Sequence, residues 1–68
     1  MSDATKIEEY LRGLSRALRT LPDRDRNDII AEIRAHLDHR SDEGKLTDAI
    51  KALGAPENCA RSFIEELM

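Results

Sequence analysis

The sequence predicts an all-α fold, a compact bundle of four short helices in a single domain over residues 1–68. Three observations favour it. Apolar residues recur every three or four positions along most of the chain, which is the spacing of one face of a helix. No stretch alternates apolar and polar residues as a half-buried strand does. Apart from Gly13, the glycines and prolines fall between the periodic segments.

The first helix is predicted over residues 5–20, with Thr5 and Glu8 as a capping box at its start. Gly13 lies inside this helix and costs about 1 kcal/mol relative to alanine. Seven apolar positions in helical register outweigh that cost. They are Ile7, Tyr10, Leu11, Leu14, Ala17, Leu18 and Leu21.

The second helix is predicted over residues 23–42. Pro22 interrupts the first helix and suits the start of the next, because a first-turn amide has no intrahelical partner. Acidic residues follow it, where they favour the positive end of the helix dipole. Gly44 is the predicted stop, in a left-handed conformation. The apolar positions are Ile29, Ile30, Ile33 and Leu37.

The third helix is predicted over residues 47–53, with Thr47 as its N-cap and Gly54 as its end. The fourth is predicted over residues 56–67, beginning at Pro56. Its apolar face comprises Cys59, Ala60, Phe63, Ile64 and Leu67. The predicted core of the bundle is Leu11, Leu14, Leu18, Ile30, Ile33, Leu37, Ile50, Leu53, Phe63 and Ile64.

The composition of the chain argues against several classes of function. Charged residues make up 37% of the chain and the net charge is -3, so it lacks the basic excess that phosphate backbones attract. One cysteine excludes an internal disulfide and favours a reducing compartment. No apolar run approaches the ~20 residues of a membrane span. We therefore expect a soluble, cytoplasmic chain that binds no nucleic acid directly and does not insert into a membrane.

The residues that could bind a metal or act as nucleophiles do not form a recognisable metal-binding or catalytic motif. Glu32, His36 and His39 share a helical face, but a zinc site needs further ligands and the lone cysteine is distant in sequence. Cys59 packs as a small apolar residue or serves as a reactive thiol, and burial is the favoured reading. Ser41 lies near His39 without an evident oxyanion site. We expect no catalysis, no cofactor and no metal.

A helix-turn-helix is the alternative interpretation of the last two helices, since a short helix, a glycine turn and a second helix match that motif in outline. The would-be recognition helix carries Glu57, Glu65 and Glu66 against a single base, Arg61. A helix that reads a DNA groove needs donors for phosphates and base edges. Charge therefore argues against a small DNA-binding regulator.

The candidate interaction surface is the first helix. Arg12, Arg16 and Arg19 form a basic row, either a solvated edge or a contact for an acidic partner or anionic head groups. The apolar stripe is wide enough that we expect part of it to stay exposed. Tyr10, with Ile7 and Leu14 one turn to either side of it, would then mediate partner binding or homo-oligomerisation, the alternative being that all three are ordinary core residues.

Several segments together resemble the HAAS family of bacterial helical signalling domains and the related domains that prefix permease-like membrane proteins. They are Leu21-Pro22 with the charged residues after it, Ile29 to Leu37, and Ala49 to Pro56 continuing through Ala60 and Phe63. Ala55 departs from the family pattern, which commonly has aspartate before the proline, so the last helix lacks a capping side chain.

The resemblance implies a non-catalytic, cytoplasmic docking or sensing module at the inner face of the membrane. In that family the helical domain usually precedes transmembrane segments, and its gene often neighbours one for a PadR-type regulator. The implied partner is therefore a protein, either one that carries transmembrane segments or the regulator. Two expectations stay open for this chain, a domain excised from a longer protein and a stand-alone member.

Overall fold

A computed structural model describes residues 2–67 as four helices. They are α1 (Asp3–Ala17), α2 (Asp23–Asp42), α3 (Leu46–Leu53) and α4 (Pro56–Leu67). No strand occurs among these residues, and the predicted all-α bundle is confirmed. The second and fourth helices have the predicted bounds, whereas the first and third differ from them.

The ends of α1 lie earlier than predicted. Ser2 caps the helix, because its Oγ accepts a hydrogen bond from the Thr5 backbone N–H at 3.3 Å. Thr5 is thus in the first turn, and the predicted capping box with Glu8 is wrong. The predicted end at residue 20 is also wrong, since α1 stops at Ala17 and residues 18–20 form a turn. Pro22 disfavours helical backbone at the residue before it, so the chain leaves the helix ahead of that position.

The junction of α2 and α3 is a Schellman motif. The N–H of Lys45 donates to the Arg40 carbonyl at 2.8 Å, and that of Gly44 donates to the Ser41 carbonyl at 3.0 Å. Gly44 has φ 72°, as its predicted role requires. Helix α3 begins at Leu46 with Lys45 as N-cap, so Thr47 is not the cap. Leu46 is instead buried against the core.

Helix α1 lies at the centre of the bundle. It packs against both α2 and α4, and α3 packs against α2 and joins α4 through a short connection. Leu14, Leu18 and Leu37 are fully buried. Burying a leucine side chain stabilises the fold by about 1.5–3 kcal/mol, so these three contribute much of the core energy.

The predicted core is correct for its central members and incomplete at the edges. Residues 11, 14, 18, 33 and 37 are buried as expected, whereas Ile30, Ile50, Leu53, Phe63 and Ile64 are only half-buried. Other side chains complete the core, namely Ile7, Tyr10, Ile29, Leu46, Ala49, Cys59 and Ala60. The side chain of Leu67, predicted for the apolar face of the last helix, lies outside the part of the chain that the structure describes.

A polar contact inside the bundle ties α1 to the connection between α3 and α4. The Tyr10 hydroxyl donates a hydrogen bond to the Gly54 carbonyl at 3.0 Å, across 44 positions of sequence. Gly54 has φ 78°, a left-handed conformation that directs the chain out of α3. Burial raises the pKa of Tyr10 above its ordinary value, and neighbouring Cys59 adds to the shift. A tyrosine hydroxyl is protonated at neutral pH even at its ordinary pKa, so it can donate this hydrogen bond.

Surface contacts link α1 and α2 at the end of the bundle remote from Pro22. Arg34 donates two hydrogen bonds to Glu8, at 2.5 and 3.4 Å, and Ser41 donates to Asp3 at 2.8 Å. The hydrogen bond and the charge of Arg34 lower the pKa of the Glu8 carboxyl, and Arg12 adds a smaller effect. Because both partners are exposed, the pair contributes little to stability.

Replacing Tyr10 with phenylalanine tests the hydrogen bond to Gly54. We expect Tyr10→Phe to lower the free energy of unfolding by about 1 kcal/mol, because the ring is kept and only the donor is lost. Chemical denaturation followed by circular dichroism measures this. Ser62→Ala is the control, since it removes an exposed 3.4 Å hydrogen bond to the Asn58 carbonyl, and its effect should be within about 0.5 kcal/mol. Equal stability of Tyr10→Phe and the wild type would contradict the role of the bond.

The ion pair of Glu8 and Arg34 predicts that the free energy of unfolding depends on pH. Since the folded-state pKa of Glu8 is lowered, its stabilisation is present above the ordinary glutamate pKa and is lost as pH falls through the folded value. Arg34→Gln should raise the Glu8 pKa in an NMR titration of the carboxyl carbon. Its stability deficit relative to the wild type should shrink on acidification. Arg24→Gln, at an exposed position of α2, should leave the Glu8 titration unchanged.

Candidate interaction site

The apolar residues predicted for an exposed stripe lie inside the bundle. The exposed fractions of Ile7, Tyr10 and Leu14 are 4%, 6% and 0%. The prediction that part of this stripe stays exposed is wrong at these positions, because α2 and α4 flank α1 and cover its apolar side together. These side chains are core, and a partner cannot reach them while the domain is folded.

The predicted basic row is divided between two environments. Arg12 lies near Glu8, whose pKa its charge helps to lower. Arg16 and Arg19 instead line a cleft between the end of α1 and the side of α4. All three are exposed. Two of the three arginines proposed from the sequence therefore belong to one concave surface, and the third does not.

That cleft has a volume of about 460 Å³ and unites residues from the two helices. Its floor is apolar and made of small or medium side chains, namely Ala17, Ala60 and Ile64. Ala60 is buried and the other two are half-buried. We call this surface the α1/α4 cleft.

The rim of the α1/α4 cleft is basic. Arg16 and Arg19 stand on one side and Arg61 on the other, with Glu57 as the acidic residue of the lining. Among residues 2–67, none of these arginines lies within 4 Å of a carboxylate oxygen. The sequence did not indicate Arg61 as a site residue, because Arg61 is the single basic residue of a predicted helix that is otherwise acidic. No pattern of neighbouring residues predicts that Arg61 lies on the same surface as Arg16 and Arg19, because the packing of α4 on α1 creates that proximity.

Gly13 explains how the cleft forms. A Cβ atom at this position would lie 3.1 Å from Pro56 Cγ and 3.3 Å from Pro56 Cβ, closer than ordinary van der Waals contact. The first residue of α4 thus packs directly on the α1 backbone, and α4 continues from there alongside the cleft. The glycine that costs helix stability is what permits this approach.

Cys59 is buried beside Ala60, as the favoured reading predicted, with an exposed fraction of 6%. Burial raises the pKa of its thiol, which reduces the thiolate fraction at neutral pH. The residue therefore contributes packing and offers little nucleophilicity. It is not among the residues that line the cleft.

The other candidates for chemistry lie apart on the surface. His39 Nε2 is 3.6 Å from a Glu43 carboxylate oxygen, and Ser41 donates to Asp3. Within residues 2–67 no group of three or more potential ligands is placed to hold a metal ion. A second, smaller depression of about 350 Å³ lies between α2 and α3. His36 lines it together with Arg40, Lys45 and Asp48. Its mixed charges and the pairing of Arg40 with Glu43 give it no single electrostatic preference.

The α3–α4 pair is poorly arranged for a helix-turn-helix role. Such motifs present the first residues of the second helix to base edges. Here Pro56 at the start of α4 packs on Gly13, so α1 partly covers that end. The glutamates at 57, 65 and 66 are exposed on the same helix. Position and charge together argue against insertion in a DNA groove.

Comparison with known proteins identifies one family. The family model for the HAAS domain matches residues 9–62, a range that includes both walls of the cleft up to Arg61. Searches of curated proteins and of solved structures gave no significant match. In the part of the chain that the structure describes, no helix is both long enough and apolar enough to cross a membrane.

Substitutions at Gly13 test whether Pro56 packing shapes this site. Gly13→Ala should change stability by less than about 0.5 kcal/mol, because crowding against Pro56 offsets the gain in helix propensity. Gly13→Leu should displace α4, lower the free energy of unfolding by about 2 kcal/mol or more, and accelerate labelling of Cys59 by a thiol reagent. Arg12→Leu, at the exposed neighbouring position, should alter neither quantity. A fully stable Gly13→Leu protein with a protected thiol would refute the packing argument.

Proposed function

We propose, since the chain belongs to the HAAS family, that it is a non-catalytic protein-interaction module of a bacterial signalling system. HAAS domains are small helical domains known from signalling and regulator-associated proteins. In this proposal the domain acts in the cytoplasm at the inner face of the membrane. It serves as part of a membrane protein, or as a companion to one or to its regulator.

The observation that carries the proposal is the α1/α4 cleft. Protein interfaces combine an apolar centre with a polar rim, and arginine is enriched in them. The cleft has an apolar floor of Ala17, Ala60 and Ile64 and a rim of arginines without ionic partners among residues 2–67. A rim of unpaired guanidinium groups around apolar side chains is suited to a protein surface of opposite charge.

The placement of the reactive residue types supports a role without catalysis. An activated nucleophile needs a base within hydrogen-bond reach. Cys59 is buried, Ser41 donates to Asp3, and His39 is nearest to the Glu43 carboxylate. None of these pairs provides the geometry of a nucleophile activated by a histidine.

The two partners proposed are a PadR-type regulator and a protein with transmembrane segments. Both follow from the family resemblance, and either would bring a folded surface to the domain. The DNA-binding alternative is disfavoured by the acidic exposed side of α4 and by the covered start of that helix.

A binding measurement tests the proposal directly. The purified chain and the PadR-type regulator encoded nearest to its gene should form a complex, detected by isothermal titration calorimetry and by sedimentation. The cytoplasmic portion of the adjacent membrane protein is the second partner to titrate. A helical protein of equal size and net charge serves as the control for nonspecific association.

Two results would contradict the proposed function or favour its alternative. Absence of a complex with both partners would contradict the proposed function. A gel shift with duplex DNA that weakens steeply as salt rises would favour the helix-turn-helix alternative instead, because counterion release dominates such binding.

A further inference from the structure

We propose that the α1/α4 cleft binds an acidic amphipathic helix of a partner protein, with small apolar side chains on the cleft floor and carboxylates beside Arg16, Arg19 and Arg61. This inference rests on the proposed function and specifies the chemistry of the partner. The geometry favours this occupant for three reasons, which concern charge, shape and polarity along the cleft.

The lining of the cleft carries a net positive charge. Arg26, Arg34 and Arg40 each have a carboxylate partner within the described chain. Among residues 2–67 the arginines of the cleft have no such partner, and neither do Arg12 and Arg24, so what distinguishes the cleft is that three unpaired arginines share one lining. Three arginines and one glutamate give the lining a balance of +2 on a chain whose net charge is -3. The cleft is therefore a local positive site that electrostatics steers toward acidic partners.

The shape of the cleft fits side chains of a helix. Its volume of about 460 Å³ accommodates a few side chains and no folded segment in full. Ala17 and Ala60 have short side chains, so a partner backbone can approach the floor of the cleft closely. Helices that dock in grooves present anchors at positions i, i+3 or i+4 and i+7, and small apolar anchors match this floor.

The two ends of the cleft differ in charge, which gives a bound helix a preferred direction. Glu57 lies one residue beyond Pro56, at the end where α4 meets Gly13. Arg61 and Ile64 follow along α4, and Arg19 follows along the other wall. A partner helix would place carboxylates one turn apart near the arginines and a neutral or basic residue near Glu57.

Other occupants fit less well. An anionic lipid head group or a free phosphate would meet the Glu57 carboxylate and would leave the apolar floor unused. A second copy of the chain could offer acidic residues of its own, such as Glu65 and Glu66 on α4, to the same arginines. These occupants are outcomes that the experiment below separates.

The experiment selects helices directly on the full chain. A displayed library of helical peptides, randomised on one face, is panned against the wild-type protein. Binders are then titrated against Arg16→Glu/Arg19→Glu/Arg61→Glu. The matched control is Arg12→Glu/Arg24→Glu/Lys51→Glu, which makes the same change in net charge at exposed positions outside the cleft. Thermal melts by circular dichroism verify that both variants are folded.

We expect the selected peptides to be enriched in aspartate and glutamate at positions flanking small apolar residues. Their affinity should fall by about tenfold or more on the cleft variant and by less than about twofold on the control, since only the former removes contacts at the interface. Peptides with lysine in place of those acidic residues should prefer the cleft variant over the wild type.

Several results would overturn the inference. They are selected peptides without acidic enrichment, equal losses on the two variants, self-association through the same arginines, and binding to phosphatidylglycerol vesicles in place of the peptides. A regulator complex that survives the cleft variant would also refute it while leaving the proposed function intact. Acidic peptides that bind the cleft in a chain that forms no regulator complex would support this inference and refute the named partner.

Discussion

Burial of the apolar side of α1 between α2 and α4 is the interaction on which the rest of the structure depends. The helix has 15 residues, and Leu14 and neighbouring Leu18 are completely excluded from solvent. At about 1.5–3 kcal/mol for each large apolar side chain, this central helix accounts for a large share of a small domain's stability. With α1 enclosed on two sides, α2 and α4 each need to cover only one edge of it.

The same burial determines where function can lie. Since the apolar side chains of α1 are buried in the core, a partner can contact α1 only along its exposed edges. Arg16 and Arg19 occupy one such edge, and α4 supplies the facing wall with Arg61. The α1/α4 cleft is thus a by-product of core packing, because α4 must lie against α1 to cover Leu14 and its neighbours.

Local patterns predicted most of the fold, and distant contacts explain what they missed. The period of three to four residues, together with Gly44 and Gly54, identified the four helices, because both signals are properties of short segments. Ser2 was overlooked as a cap since the apolar pattern begins later, at Ile7. Tyr10 suits an interface as well as a core, and its burial and its hydrogen bond to the distant Gly54 carbonyl decide between them.

The close approach of Pro56 to Gly13 has a consequence for how this domain can change over evolution. The separation of the cleft walls is determined by backbone packing and by the Tyr10 tie to Gly54, and no rim side chain takes part in either contact. The arginines and Glu57 can therefore be exchanged with little penalty in folding, because exposed charges contribute little to stability. Related domains could acquire different partners by altering the rim on an unchanged frame, so that partner choice and foldability vary independently.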